Sequence, residues 1–162
     1  MGWLHRLDRL IAAVISIAQW LALPLILLLF LQWPLRDLIH AYSTQANDLG
    51  QIVFALLVAV SITAATRAGT HLAADTLAQR YSVRTRALLK RLGAGVALLP
   101  WMFFVLFASK AFVVPSVREL EAFPETGDPG YFIIKCALWL MAITMIAQAL
   151  VDIFRPIPTD DV

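Results

Sequence analysis

The chain has 162 residues, of which 60% are hydrophobic and 15% charged, and its formal net charge is +2. This balance is typical of an integral membrane protein and argues against nucleic-acid binding as the reason for its basic isoelectric point. The single cysteine, Cys136, cannot form an internal disulfide or a paired-cysteine redox centre.

Long apolar runs fill most of the chain. A helix of about 20 residues crosses the apolar core of a bilayer, and a helix satisfies its backbone polar groups internally. The connectors between the runs leave little room for a soluble domain, so we predict one all-α transmembrane domain over residues 1–162. Its four predicted spans are residues 10–33, 49–66, 92–113 and 131–152.

The basic residues predict the orientation of these spans. If the spans alternate in direction, most Lys and Arg residues share one side, and the positive-inside rule places both termini and the middle connector in the cytoplasm. Basic residues near the N-terminus also fit a signal peptide, but the long uncharged run without a small-residue cleavage site favours a retained span. The residues on the predicted inner side are Arg6, Arg9, Arg67, Arg80, Arg84, Arg86, Lys90, Arg91 and Arg155.

Local signals mark the first two spans. Pro24 removes a backbone donor in mid-span and predicts a bend. The first helix is expected to end at Gln32–Pro34, with an interfacial tryptophan there. Asn47 and Asp48 are predicted to cap the second helix. Small residues over 59–65 predict a face for close helix packing, either within the four helices or against another subunit.

The connector after the second span is predicted to be structured. Residues 70–81 have the composition of an amphipathic cytoplasmic helix, and Ser82 is a predicted N-cap for a helix that runs from Val83 into the third span. The basic residues before Leu92 are expected to bind anionic lipid headgroups. Pro100 is a second predicted kink site.

Charges of both signs are predicted at the outer side. Lys110 and Lys135 lie near the outer ends of the third and fourth helices. Each can extend its ammonium group to the headgroups or pair with a partner's carboxylate. The last outer loop, Val114–Gly130, is net acidic. We expect it to be either solvated or in contact with another protein.

Arg67, His71 and Asp75 recur every four residues, so they share one helical face. Two ligands at this spacing make a weak metal site, so we expect a salt-bridged helix start or a contact with a partner protein. No histidine lies within a predicted span, and the first three spans contain no acidic residue. We therefore expect no metal, no cofactor and no enzyme activity, and favour an accessory subunit. A stand-alone homo-oligomeric transporter or pore and a cofactor-binding membrane enzyme are the alternatives.

The stretch Ala59–Asp75 reads AVSITAATRAGTHLAAD. It resembles the small membrane subunit of tripartite ATP-independent periplasmic (TRAP) transporters. In that family the second helix commonly ends with a basic residue and a glycine, followed by a histidine and, four residues later, an aspartate. The matching positions here are Arg67, Gly69, His71 and Asp75.

The resemblance covers roughly residues 40–155. Glu125–Gly130 with Lys135, and Gln148, resemble a branch of the family associated with mannitol and chloroaromatic-type systems. Two positions depart from the family pattern: residues 72–74 lack the basic residue that is common there, and Asp48 stands where a glutamate is usual.

This resemblance implies partners in a bacterial inner membrane. The small subunit would pair with a large multi-span permease subunit that carries the substrate and sodium sites. A periplasmic substrate-binding protein would deliver the solute, commonly an organic acid. The small subunit would then scaffold the large one during ion-coupled uptake, with membrane lipids around it and no cofactor. We expect a structural or partner-interface cluster of Arg67, His71, Asp75, Glu125 and Lys135.

Overall fold

A computed structural model describes residues 2–39, 43–68 and 81–156, which are almost entirely helical. In chain order they form α1 (Gly2–Gln19), α2 (Ala22–Ile39), α3 (Thr44–Ala68), α4 (Val83–Leu92), a π-helical segment (Gly93–Leu98), α5 (Leu99–Arg118) and α6 (Tyr131–Phe154). Four stretches are long and apolar enough to cross a membrane, which confirms the predicted four-span, all-α class. These stretches are Gly2–Pro34, Thr44–Ala68, Val83–Arg118 and Tyr131–Phe154.

The first span is interrupted near Pro24, as the missing N–H of proline predicts. α1 ends at Gln19 and α2 begins at Ala22. Pro24 cannot donate to the carbonyl of Trp20, which instead accepts from the Leu23 N–H at 3.3 Å. This is the shorter, three-residue hydrogen-bond step. Pro24 therefore lies in the first turn of α2, where an N–H has no helical acceptor to lose.

Two helices extend beyond the ends predicted from the apolar runs. α2 continues through Pro34 to Ile39, so the expected end at Gln32–Pro34 is wrong. α5 continues through Pro115 to Arg118, so the predicted loop Val114–Gly130 begins with a turn of helix. Each proline has a φ that a helix accepts, and neither is followed by a second proline or a glycine before the helix ends.

The second span begins one turn before its predicted cap. α3 starts at Thr44, and the Ser43 hydroxyl accepts a hydrogen bond from the Ala46 N–H at 3.2 Å. Ser43 therefore supplies the cap that was assigned to Asn47 and Asp48, and that assignment is wrong. Asp48 lies inside the helix and is only 7% exposed.

The third span is a continuous helical stretch with a local irregularity. The Ser82 hydroxyl accepts from the Thr85 N–H at 3.2 Å, which confirms the predicted N-cap. After α4 the chain becomes π-helical, and the Leu99 N–H bonds to the carbonyl of Ala94, five residues back. This segment ends two residues before Pro100, which has no N–H for the usual four-residue step. The amphipathic helix predicted over residues 70–81 lies outside the described residues, except for its last position.

Small and apolar side chains pack between α3, α5 and α6. Met102, Ala142 and Met145 form a buried cluster. Beside it, the hydroxyls of Thr63 and Thr144 lie 2.8 Å apart and join α3 to α6. Thr63 is fully buried, and Ala59 on the same predicted small-residue face is nearly so. This part of the face therefore packs within the four spans.

The spans run antiparallel, and the bundle has two unlike ends. At one end, here called the basic end, α1 and α4 begin and α3 and α6 finish; the rings of Trp3 and Phe154 meet edge to face there, 5.7 Å apart. The opposite end, here called the loop end, holds the connection between α5 and α6. The described basic residues at the basic end are Arg6, Arg9, Arg67, Arg84, Arg86, Lys90, Arg91 and Arg155.

Residues 119–130 form an ordered loop anchored by Phe123. The Phe123 N–H donates to the Asp128 carbonyl at 2.8 Å, and the buried Phe123 ring meets Tyr131 edge to face. Gly130 has a φ of +148°, and a Cβ added there would lie 3.1 Å from the Ile52 side chain on α3. A glycine is therefore required at this position.

Side chains also fasten this loop to the helices beside it. The Thr126 hydroxyl donates to the Asp48 carboxylate on α3 at 2.6 Å. Glu121 forms an ion pair with Lys135 on α6. The Lys135 ammonium holds the pKa of the Glu121 carboxyl below its ordinary value of 4.5. Lys135 thus pairs with a carboxylate of its own chain. The sequence analysis had expected it either to extend to the lipid headgroups or to pair with a carboxylate of a partner protein.

The lowered pKa of Glu121 predicts how the loop responds to acid. Because the pKa is lower in the folded chain, the ion pair stabilises the fold above the unfolded-state pKa, and this stability is lost as pH falls through the folded one. We expect Glu121→Gln to remove this part of the pH dependence when melting temperature is followed by tryptophan fluorescence. Glu125→Gln, at an exposed position of the same loop, should leave it intact; equal effects of both would contradict the prediction.

The Thr63–Thr144 hydrogen bond predicts a coupled pair. The Thr144 hydroxyl bonds to the Leu140 carbonyl at 2.8 Å, so we infer that Thr63 donates to Thr144. Thr63→Val and Thr144→Val should each lower the free energy of unfolding in detergent by about 0.5–1 kcal/mol. The double variant should lose less than the two losses added together. Ser61→Ala, at an exposed position of α3, is the control, and strictly additive losses would refute the coupling.

Candidate functional site

The three members of the predicted cluster that the structure describes do not come together. Arg67 lies at the end of α3, at the basic end. Lys135 lies in the first turns of α6, and Glu125 is exposed in the loop before it, at the loop end. His71 and Asp75 lie outside the described residues. The described members of the cluster therefore lie at opposite ends of the bundle.

Arg67 makes a two-pronged ion pair with Asp8 of α1. Its Nη1 lies 2.8 Å from Oδ1, and its Nη2 donates to Oδ2 at 3.1 Å. Both side chains are 30% exposed. A guanidinium matches a carboxylate in this geometry and fixes its orientation as well as its distance. Arg67 therefore holds the end of the second span against the start of the first.

A second charged group joins the third span to the fourth. Lys90 on α4 lies 3.1 Å from the Asp152 carboxylate on α6, and the Gln148 amide donates to the same oxygen at 3.2 Å. The Asp152 side chain is only 3% exposed. A buried carboxylate is stable when a cation and a hydrogen bond compensate it. Lys90, which was expected only to bind lipid headgroups, therefore also stabilises the Asp152 carboxylate.

The sequence analysis did not single out Asp8, the partner of Arg67, which precedes the predicted first span and lies inside α1. A signal was present: Asp8 is the first acidic residue of the chain, and no other follows until Asp37. An isolated carboxylate among basic residues at a span boundary indicates a partner on a neighbouring helix.

Grooves at the basic end follow α1. One, of about 560 Å³, is bordered by Ser16, Gln19 and Arg67 and floored by small side chains of α1 and α3. A smaller one, of about 160 Å³, is lined in part by His5, Asp8 and Arg155. Within the described residues no group of three or more His, Cys, Asp or Glu side chains could hold a metal ion. The charged groups here fix helix positions.

Large apolar side chains cover the outside of the bundle. α2 is exposed along much of its length, and α5 exposes a series of aromatic rings. Surfaces of this kind are compatible with lipid or with another membrane protein. The exposed aromatic residues of α2 and α5 are Phe30, Trp33, Trp101, Phe103, Phe104, Phe107 and Phe112.

Comparison with known proteins agrees with this architecture. The family described as tripartite ATP-independent periplasmic transporters, DctQ component, matches residues 25–159. Neither a curated protein nor a solved structure matches the chain. The family match includes three of the four spans entirely and part of the first, and it confirms the resemblance seen in Ala59–Asp75. The chain therefore belongs to the DctQ family, a membrane component of tripartite ATP-independent periplasmic transporters.

Proposed function

We propose that this chain is the small permease subunit of a TRAP-type secondary transporter in a bacterial inner membrane. In this role it scaffolds a large multi-span permease subunit during ion-coupled uptake of an organic acid or similar solute. It works without catalysis. Family membership and the four membrane-length helices support the proposal.

The buried polar side chains carry the scaffold part of this proposal, because they link helices to one another. Thr63 bonds to Thr144, and the Trp139 indole donates to the Ser109 hydroxyl at 2.9 Å, joining α6 to α3 and α5. Interhelical hydrogen bonds of this kind hold membrane helices in register. A bundle fastened through its middle and at both ends suits a rigid support.

The charge distribution supports an orientation with the basic end in the cytoplasm. The described arginines of α4 make no ion pair with any described carboxylate, and cytoplasmic ends of membrane proteins carry such an excess of positive charge. The loop end then faces the periplasm. Its exposed Glu119 and Glu125 suit a contact with the substrate-binding protein, while Glu121 is engaged by Lys135.

We assign the partner-facing role at the basic end to Arg67, His71 and Asp75 together. Arg67 holds the end of α3 to Asp8 of α1. His71 and Asp75 follow Arg67 closely in the sequence, and we group them with it for that reason. The large subunit would meet these residues beside the end of the second span.

Gentle-detergent purification of the tagged chain from its native membrane tests the proposed function. A large hydrophobic protein with many predicted spans should be recovered with it in constant ratio and be identified by mass spectrometry. Reconstitution of the tagged chain, the large hydrophobic protein and the binding protein with liposomes should give solute uptake that none of these components gives alone. A single-component oligomer that transports by itself would instead establish the stand-alone transporter.

Exchanging the charges of Arg67 and Asp8 tests the role of their ion pair. Arg67→Asp and Asp8→Arg alone should each lower the free energy of unfolding by about 1 kcal/mol and reduce recovery of the large subunit. The combined variant should restore both, because the pair re-forms in reverse. Arg84→Asp, at an exposed position of α4, is the control. Restored stability without restored recovery would show that Arg67 itself contacts the partner.

A further inference from the structure

Lys110 is a charged residue placed well inside the apolar part of the third span. It lies eight residues before the end of α5 at Arg118, a distance of about 12 Å along a helix. A contact with the neighbouring fourth span indicates the same distance of Lys110 from the loop end. Ser109, the residue before it, accepts a hydrogen bond from Trp139, which lies eight residues after the start of α6 at Tyr131. Lys110 is therefore more than one turn below the loop end.

The direction of its side chain distinguishes Lys110 from Lys135. A Cα–Cβ bond in a helix points toward the helix N-terminus. For Lys135 on α6 this direction leads to the loop end, where Glu121 and the Tyr131 ring receive the ammonium group. For Lys110 on α5 it leads toward the middle of the bundle. Extension to the headgroups must therefore work against the starting direction of the side chain.

Lys110 also lacks compensation from its own chain. It is exposed on the outside of α5, and within the part of the chain that the structure describes it makes no hydrogen bond or ion pair. Phe103 and Phe107 lie seven and three residues before it, on the same side of the helix, and are 46% and 74% exposed. A lysine on such an apolar surface is unfavourable in lipid and marks a functional contact.

We propose that this side of α5, formed by Phe103, Phe107 and Lys110, is a contact surface for the large permease subunit. Lys110 pairs there with a carboxylate on a membrane helix of that subunit. Charge complementarity carries the choice of partner, since lipid tails offer no counter-charge at this depth. The inference rests on the proposed function, because it requires a membrane-embedded partner.

Substitutions of Lys110 test whether its ammonium group pairs with a carboxylate of the large subunit or extends to the lipid headgroups. Lys110→Met suits lipid but leaves the partner's carboxylate unpaired, so recovery of the large subunit in gentle detergent should fall roughly tenfold or more. Lys110→Arg should keep most of it, and Lys110→Glu should lose it. Arg118→Met, at the end of the same helix, is the matched control, and the melting temperature of the isolated chain verifies folding.

Wild-type recovery with Lys110→Met would overturn this inference and leave the proposed function standing. Failure of the wild-type chain to recover any large subunit would overturn both. Photo-crosslinking gives an independent measurement: p-benzoylphenylalanine in place of Phe107 should crosslink to the large subunit in the assembled complex. An assembled complex without that crosslink would also overturn the contact surface.

Discussion

Hydrocarbon offers no hydrogen-bond partner to a backbone group, and this constraint shapes the whole molecule. It favours helices across the membrane, and in this chain Pro24 and Pro100 coincide with local irregularities in helical hydrogen bonding. At Pro24 the chain shortens its hydrogen-bond step and restarts the helix, whereas before Pro100 it lengthens the step to the π-helical one. In each case a carbonyl before the proline keeps a hydrogen bond, that of Trp20 before Pro24 and that of Ala94 before Pro100.

Side chains obey the same constraint in a different way. In the middle of the bundle, Thr63 and Trp139 form hydrogen bonds that cross from one helix to another. The ion pairs lie near the ends, where Asp8 meets Arg67 and Lys90 meets Asp152. Asp8, Arg67 and Lys90 remain partly exposed, which reduces the penalty of desolvation for their charges, whereas the buried Asp152 carboxylate depends on Lys90 and the Gln148 amide for compensation.

Features encoded by neighbouring residues were predictable from the sequence. The four spans follow from apolar length, and the Ser82 cap and the irregularity at Pro24 follow from the chemistry of single residues. The true ends of α2 and α5 were not predictable in this way, because hydrophobicity marks where lipid lies and not where hydrogen bonding stops. Asp8 was recognisable as an isolated carboxylate, but which residue pairs with it, and which residue pairs with Lys135, depends on tertiary packing that local spacing does not encode.

The hydrogen bonds and ion pairs identify the fourth span as the centre of the bundle. Residues of α6 receive the contacts of Thr63, Ser109, Lys90 and Glu121, which come from the other two packed spans and the loop. In the most apolar 18-residue stretch of the fourth span, 44% of the residues are buried, compared with 11% in the corresponding stretch of the first span. The apolar faces that the chain itself leaves uncovered lie mainly on the outer helices α1, α2 and α5, which are open to lipid or to another membrane protein.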